Sequence, residues 1–248
     1  MRHPPAPLLI VLACAACTGG DVPGTSRAAD EAAAPRSEPP VAGEGSRDTP
    51  GEAPLRLVVL GTSLTAGLGL EDPATQSWGA RLGARARDAG MAVDVVNAGV
   101  SGDTSAGGLR RLDWILREPV DVLVVELGAN DGLRGLSVEA MAANLREIVE
   151  RTRAVWPGAE IVLAGMEAPP NLGAGYVEDF RNVFIELAEA EDLGRIPFLL
   201  EGVAGEPSLN QADGIHPTAE GHARMAATAW PVVEEALRAA RARQEAAA

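Results

Sequence analysis

A serine and an aspartate–histidine pair are the side chains of this chain best suited to nucleophilic chemistry. Ser63 stands in the segment GTSLTAG, directly after an apolar run, where a strand-to-turn junction would expose its hydroxyl. Asp213 precedes His216 by three residues, so its carboxylate can accept a hydrogen bond from Nδ1 and leave Nε2 to take a proton from a serine. His3 lies in an N-terminal leader, and His222 lies in an Ala-rich helical segment where a structural or surface role is expected.

Two glycine-rich segments offer hydrogen-bond donors for an oxyanion. Gly102, in NAGVSGDTS, can present its backbone N–H with no side chain in the way, and Asn130, in GANDG, can donate its side-chain amide. Taken singly, each feature has a simpler explanation: Ser63 or Thr65 as a helix N-cap, and the glycine-rich segments as ordinary turns. Together they supply a nucleophile, an oxyanion site, a base and a group that orients the base.

The composition excludes several other chemistries. All 21 basic residues are arginine, so the chain has no lysine for a Schiff base or a phosphate-binding loop. A net charge of −14 argues against a nucleic-acid partner, and an aromatic content of 3% argues against stacking platforms for bases or sugar chains. Both cysteines lie before residue 18, so no disulfide or thiolate metal site is available to the rest of the chain. We expect no metal and no cofactor.

The hydrophobic pattern predicts the elements that must position these groups. Short β-branched runs predict strands at 55–60, 92–96, 120–127, 160–165 and 196–200. Helical spacing predicts helices at 77–89, 106–116, 138–155, 177–192 and 218–243. This alternation predicts an α/β fold, a three-layer α/β/α sandwich with a flavodoxin-like, doubly wound, five-stranded and mostly parallel sheet. Ligands of such folds bind at the carboxyl ends of the strands, and Ser63, Gly102 and Asn130 each follow a predicted strand.

The first 54 residues have the composition of a leader and a linker. Residues 1–17 combine a basic start, an apolar run too short to span a bilayer and small residues before a cysteine, which predicts a secretory signal. The pattern resembles a bacterial lipoprotein signal in which Cys17 is lipidated, although Cys14 also fits and an ordinary cleaved signal or a misassigned start codon stays open. Residues 18–54 predict a disordered tether, and 55–243 a single folded domain. We therefore expect a periplasmic or cell-envelope protein that a lipid anchors to the membrane.

Four segments, in this order, resemble the characteristic blocks of the SGNH (GDSL-like) hydrolase superfamily, most closely its bacterial acyl-CoA thioesterase, lysophospholipase and arylesterase group. They are the nucleophile block at 61–69, the glycine block at 97–105, the asparagine block at 126–135 and the aspartate–histidine block at 213–217. The resemblance implies the SGNH hydrolase fold, with Ser63 as nucleophile, His216 as base and Asp213 as the orienting carboxylate. It also implies an oxyanion hole made by the N–H groups of Ser63 and Gly102 and the Asn130 amide.

The same resemblance implies a serine esterase that acts, as a monomer, on short- to medium-chain acyl or aryl esters, and by extension on thioesters or lysophospholipids. Residues 166–176 correspond to the group's substrate-binding loop, which makes Pro169 and Tyr176 candidates to contact the substrate. Leu133 stands where the group flanks its pocket. Two alternatives stay open: a carbohydrate or peptidoglycan O-deacetylase of the same superfamily, and a non-catalytic lipoprotein that binds an acyl ligand.

One position departs from the superfamily. Its name motif has aspartate after the first glycine, where this chain has Thr62. Threonine can still hydrogen-bond nearby backbone groups, and the other characteristic residues are present. We therefore expect hydrolytic activity to be retained.

Overall fold

The computed structural model describes residues 53–247, so the predicted signal, Cys17 and all but the last two residues of the predicted tether lie outside the described residues. The strands are β1 (Leu55–Gly61), β2 (Val93–Gly99), β3 (Val122–Glu126), β4 (Glu160–Ala164) and β5 (Gly194–Ile196). They form one sheet in the order β2-β1-β3-β4-β5, and all four pairings are parallel. This is the strand order of a flavodoxin-like sheet, which confirms the predicted fold class.

Helices cover both faces of the sheet. They are α1 (Ser63–Ala66), α2 (Pro73–Gln76), α3 (Trp78–Asp88), α4 (Ser105–Ile115), α5 (Ala129–Leu133), α6 (Val138–Val155), α7 (Ala174–Ala190) and α8 (Ala219–Ala247). Helices α3 and α8 pack together on one side, and α4, α6 and α7 pack in series on the other. The apolar residues of β1 and β3 are therefore buried on both faces, as expected for central strands of a parallel sheet.

The five long helices match the predicted ones, whereas several ends differ. Helix α8 continues to Ala247, and α1, α2 and α5 were not predicted because four or five residues are too few to show helical periodicity. Strand β5 ends at Ile196, where the predicted strand began, because Pro197 has no N–H and the Leu199 N–H donates to the Gly165 carbonyl in a turn. No helix within residues 53–247 is both long and apolar enough to cross a membrane.

Strand β2 is longer than predicted, and its extra residues bring the candidate loops together. Asn97, Ala98 and Gly99 continue the ladder beside β1, so that Gly99 lies opposite Gly61. Gly61 in turn lies opposite Glu126, the last residue of β3. The three strands thus end side by side at one edge of the sheet, from which the serine, glycine and asparagine blocks all leave.

Candidate active site

Ser63 is the first residue of α1 and follows β1 after the single residue Thr62. The Thr62 hydroxyl oxygen caps this helix by accepting the Leu64 N–H at 3.4 Å, and Gly67 ends it with φ of +72°. This abrupt strand-to-helix turn places the partly exposed Ser63 at the carboxyl edge of the sheet. Its own N–H, at the first helical position, has no acceptor within the helix and is available to a ligand.

His216 connects Ser63 to Asp213. Its Nε2 lies 3.0 Å from Ser63 Oγ, and its Nδ1 lies 2.7 Å from Asp213 Oδ2. Because an ionised carboxylate only accepts hydrogen bonds, Nδ1 donates to Asp213 and Nε2 is left as the acceptor facing the serine hydroxyl. The sequence-predicted trio is therefore assembled, although Ser63 and His216 lie 153 residues apart.

Asp213 lies on an exposed loop, and its hydrogen bonds favour the ionised carboxylate. The bond from the His216 side chain contributes most, and the backbone N–H groups of His216 and Ile215, which donate to Oδ1 at 3.0 and 2.9 Å, add to it. These hydrogen bonds favour the charged form and hold the pKa of the Asp213 carboxyl well below its usual range. A fixed negative charge beside Nδ1 stabilises the imidazolium that forms when His216 takes a proton.

Gly102 and Asn130, two of the three predicted oxyanion donors, lie on neighbouring loops that a hydrogen bond connects. Gly102 is exposed with φ of +82°, and its N–H has no acceptor within residues 53–247. Asn130, in α5, donates one Nδ2 hydrogen to the Asp103 carbonyl at 2.8 Å and directs the amide toward the site, where the second hydrogen remains available. The Gly102 carbonyl accepts from Arg134 at 2.8 Å, which further fixes the loop.

Arg111 ties the same loops to the sheet, a role that the sequence did not reveal. Its guanidinium donates to the carbonyls of Gly61 at 2.9 Å and Ala98 at 2.7 Å, and it pairs with Asp103 at 2.7 Å. One side chain therefore links the ends of β1 and β2 to the glycine block. An arginine in the sequence of an amphipathic helix carries no signal for this, because such residues commonly face solvent.

A cleft of about 520 Å³ opens beside the Ser63–His216 pair. Its apolar lining includes Leu133, Met166, Pro169, Phe198, Leu200 and Ile215. Leu133 and Pro169 thus lie where the substrate-contact prediction requires them. Tyr176 does not line the cleft: its hydroxyl donates to the Leu136 carbonyl at 2.8 Å, and its ring stacks on Phe180 with centroids 6.2 Å apart. Its hydroxyl and ring contacts are therefore with residues outside the cleft lining.

His222 is buried in α8 and has a structural role. Its Nδ1 accepts the Trp78 N–H at 3.2 Å, at the start of α3. Burial, with the nearby charges of Arg81 and His216, lowers the pKa of His222 to about 4. The imidazole is therefore neutral near pH 7 and joins two helices.

Residues 59–224 match the model of the GDSL-like lipase/acylhydrolase family, which is more than half of the chain. The chain belongs to this family. Among curated proteins it is similar to Esterase TesA of Pseudomonas aeruginosa, with 44% identity over 182 residues that cover 73% of this chain and 89% of the relative. It is also similar to an arylesterase of Vibrio mimicus, with 36% identity over 170 residues, 68% of this chain and 83% of the relative.

Solved structures of the family agree with the fold. A crystal structure of TesA matches with a TM-score of 0.69 and 42% identity, covering 73% of this chain and 99% of that one. The SGNH-hydrolase family esterase AlinE4 matches with a TM-score of 0.62 and 39% identity, covering 75% and 98%. The comparisons confirm the superfamily and fold that the four sequence blocks predicted, and with them the class of enzyme, an ester hydrolase.

A buried carboxylate contacts the nucleophile segment at Thr62, the position where the family's name motif has aspartate. Glu126, at the end of β3, accepts the Thr62 N–H and the Thr65 hydroxyl on Oε2, both at 2.8 Å, and the Thr62 hydroxyl on Oε1 at 3.0 Å. It is fully buried, and this burial raises its pKa to about 7 despite those hydrogen bonds. The sequence does hold a signal, since Glu126 is an acidic residue inside the otherwise apolar end of the strand predicted at 120–127.

Proposed function

We propose that this family member is a serine esterase that hydrolyses short- to medium-chain acyl or aryl esters through an acyl-enzyme on Ser63. The observation that carries the proposal is the 3.0 Å contact between Ser63 Oγ and His216 Nε2, with Nδ1 held by ionised Asp213. A serine hydroxyl is a weak nucleophile until a neighbouring base can take its proton. His216 is such a base, in the tautomer that the reaction needs.

The reaction divides into two displacements at the acyl carbon. Ser63 Oγ attacks the carbonyl as its proton passes to His216 Nε2, and the resulting tetrahedral intermediate expels the alcohol or thiol, which takes that proton from His216. A water molecule then attacks the acyl-enzyme, with His216 again accepting a proton and returning it to Ser63. Asp213 keeps the imidazole oriented and remains ionised throughout.

Three donors are proposed to hold the oxyanion of each tetrahedral intermediate. They are the N–H groups of Ser63 and Gly102 and the side-chain amide of Asn130. The first two have no intramolecular acceptor within residues 53–247, and the third has one hydrogen to spare. Removing one such donor typically slows an acyl-transfer enzyme by about 10²- to 10³-fold.

The cleft lining favours an acyl group over a sugar. Aliphatic side chains line it together with one aromatic ring, that of Phe198, and the Glu167 carboxylate on its wall is paired with Arg181 at 2.7 Å. The names of relatives point the same way: an arylesterase, and in Escherichia coli a thioesterase 1/protease 1/lysophospholipase L1 that is 40% identical over 163 residues. We include thioesters and lysophospholipids in the proposed substrate range, with the enzyme acting as a monomer.

Two substitutions test the mechanism. With p-nitrophenyl acetate and butyrate, we expect Ser63→Ala and His216→Ala each to lower kcat by about 10⁴-fold or more. Ser208→Ala is the matched control, because the hydroxyl of this exposed serine donates to Glu206 and does not line the cleft, so kcat should be unchanged. Wild-type turnover in Ser63→Ala, or failure of a fluorophosphonate to label Ser63, would refute the assignment.

A substrate panel separates the proposal from its main alternative. Esters of p-nitrophenol with acyl chains of increasing length, a lysophospholipid and an acetylated glycan can be compared at equal enzyme concentration. We expect kcat/KM to be highest for short- to medium-chain acyl esters, because the cleft of about 520 Å³ is lined mainly by apolar side chains. A higher kcat/KM for the acetylated glycan would assign the enzyme as an O-deacetylase.

We propose a periplasmic or cell-envelope location, with a lipid on Cys17 holding the enzyme at the membrane. The support is the sequence of residues 1–17, and the net charge of −14, which disfavours direct adsorption to an anionic membrane surface. Palmitate labelling of the full chain should be lost in Cys17→Ala, and cleavage of the signal should be sensitive to globomycin. Labelling that persists in Cys17→Ala but disappears in Cys14→Ala would move the anchor, and an unlabelled soluble product would refute it.

A further inference from the structure

We propose that Glu126 is a positioning residue for the Ser63 nucleophile and acts on it through Thr62 and Thr65. This inference rests on the proposed function, in which Ser63 attacks the acyl carbon. It assigns a role in turnover to a buried side chain that touches neither the cleft nor the Ser63–His216–Asp213 trio.

Glu126 accepts hydrogen bonds from residues on both sides of Ser63 in the sequence. Thr62, directly before Ser63, donates its N–H and its hydroxyl to the carboxylate, and Thr65, two residues after Ser63, donates its hydroxyl. Both threonines are buried, so neither donor has water as a substitute partner. Because α1 is a single turn, fixing these two residues fixes the direction in which Ser63 Oγ leaves the helix.

The space for this carboxylate depends on a residue without a side chain. A Cβ added at Gly61 would lie 2.0 Å from Thr65 Oγ1 and 2.5 Å from Glu126 Oε2. Gly61 and Glu126 are register partners on β1 and β3, so the carboxylate fills the place of the side chain that Gly61 lacks. The first glycine of the nucleophile block is thereby explained by the group packed against it.

The charge of Glu126 decides how many of these bonds can form. An ionised carboxylate can accept all of them, whereas the protonated form must donate one hydrogen, for which only the threonine hydroxyls lie within hydrogen-bond distance. A hydroxyl that turns to accept no longer donates to the carboxylate. Protonation of Glu126 therefore loosens α1, and a small displacement of an attacking group costs a large factor in rate.

The surroundings let this one group change charge near neutral pH. Neighbouring elements direct Arg111, Asp103, His216 and His222 to this edge, and each has its own partner. Arg111 pairs with Asp103 and donates to the Gly61 carbonyl, His216 contacts Ser63, and His222 accepts the Trp78 N–H. Burial is the largest cause of the raised pKa of about 7. An aspartate in place of Thr62 would add a second carboxylate here, and two such groups cannot both ionise easily.

The decisive variant is Glu126→Gln, which keeps the shape of the side chain and cannot ionise. The measurement is kcat per active site, counted by fluorophosphonate titration, on p-nitrophenyl butyrate from about pH 5 to 9. We expect wild-type kcat to exceed that of the variant about tenfold at the alkaline end, the loss of roughly one hydrogen bond. The ratio should fall toward one at the acid end, where wild-type Glu126 is itself protonated. KM should not change, because the cleft lining is intact.

The ratio is informative because both proteins contain the same Ser63, His216 and Asp213 and differ only at position 126. A merely structural Glu126 would give a ratio that does not vary with pH, and that result, or an unchanged kcat, would overturn the inference. Turnover retained in Ser63→Ala would instead overturn the proposed function. The two failures are therefore distinguishable.

Two threonine variants also test whether Glu126 acts on Ser63 through its hydrogen bonds to Thr62 and Thr65. Thr65→Val removes one donor to the carboxylate, so Glu126 should bind its proton more tightly and activity should be lost at a higher pH than in wild type. Thr152→Val removes an equally buried threonine hydroxyl from α6, where it donates to the Ile148 carbonyl, and should keep the wild-type pH profile. Identical pH profiles for the two variants would overturn the inference.

Discussion

The candidate active site has two halves, a sheet half around Ser63 that contains Glu126 and a loop half around His216 that contains Asp213. The two carboxylates have opposite surroundings. Glu126 lies beneath Ser63 with no solvent exposure, whereas the side chain of Asp213, beside His216, is 46% exposed. Burial raises the pKa of Glu126 to about 7, while hydrogen bonds from His216 and two backbone N–H groups hold that of Asp213 below its usual range. The exposed carboxylate therefore has a constant charge near pH 7, and the buried one does not.

The halves also differ in how they are held. Asp213 and His216 are fixed by hydrogen bonds within a few residues of the chain, including one from the Gln211 N–H to the His216 carbonyl at 2.7 Å. The sheet half is fixed by hydrogen bonds between segments that are distant in the chain, such as those from Thr62 to Glu126 and from Arg111 to Gly61. We therefore expect substitutions in the loop half to change activity with little effect on stability, and substitutions in the sheet half to change both.

The largest predicted effect belongs to the loop half. Asp213→Asn can present an amide hydrogen to His216 Nδ1, which places the ring hydrogen on Nε2 and blocks acceptance of the Ser63 proton. We expect kcat at neutral pH to fall by about 10⁴-fold. The melting temperature should hardly move, because Oδ1 of asparagine can still accept the Ile215 and His216 N–H groups. A loss below tenfold, or a large drop in melting temperature, would contradict the distinction between the halves.

A pair of glycines extends the comparison to the backbone. A Cβ at Gly61 would overlap Thr65 and Glu126, so Gly61→Ala should cost about 3 kcal/mol or more in the free energy of unfolding and most of the activity. Gly214, in the Asp213–His216 loop, has φ of +70° and nothing within 4 Å of an added Cβ. Gly214→Ala should therefore cost only about 1 kcal/mol of backbone strain. Urea unfolding of both variants measures the difference, and equal costs would count against it.

The loop half is also the half that the sequence predicts well. Asp213 and His216 are close in the chain, so their spacing alone indicates that the side chains can meet. The strand runs were equally readable, because the apolar pattern of a buried parallel strand is local. Long-range pairings were not: Glu126 reaches Thr62 across 64 residues, and Arg111 reaches Gly61 across 50.

Thr62 and Tyr176 show the same limit from another side. In the sequence, Thr62 indicates that the carboxylate of the family motif is missing, yet the carboxylate of Glu126 on the neighbouring strand β3 contacts this residue. Tyr176 falls in the segment that corresponds to a substrate-binding loop, but its hydroxyl and ring contact Leu136 and Phe180, outside the cleft lining. In both cases a residue type was read correctly, and its partner was fixed by packing that no local pattern encodes.

A further predicted effect is a pH-dependent stability of the sheet half. The pKa of Glu126 is about 7 in the folded chain against an ordinary value of 4.5, so between these values the folded state binds a proton that the unfolded state has released. Stability from this group is present at low pH and lost as pH rises through 7. At about 1.4 kcal/mol per pKa unit, the whole change amounts to about 3 kcal/mol.

Glu126→Gln has no titrating proton at this position, so it should not lose this stability as pH rises. Between about pH 5 and 8, its free energy of unfolding should therefore rise relative to that of wild type by up to about 3 kcal/mol. Urea unfolding at the two pH values measures the gain. Asp213→Asn is the matched control: the low pKa of Asp213 keeps its charge constant above the ordinary value of 3.8, so the difference in free energy of unfolding from wild type should be the same at both pH values and change only in the acid range. A gain in Glu126→Gln that is the same at both pH values would mean that the buried carboxylate does not titrate in the folded enzyme, and the contrast between the two halves would fail.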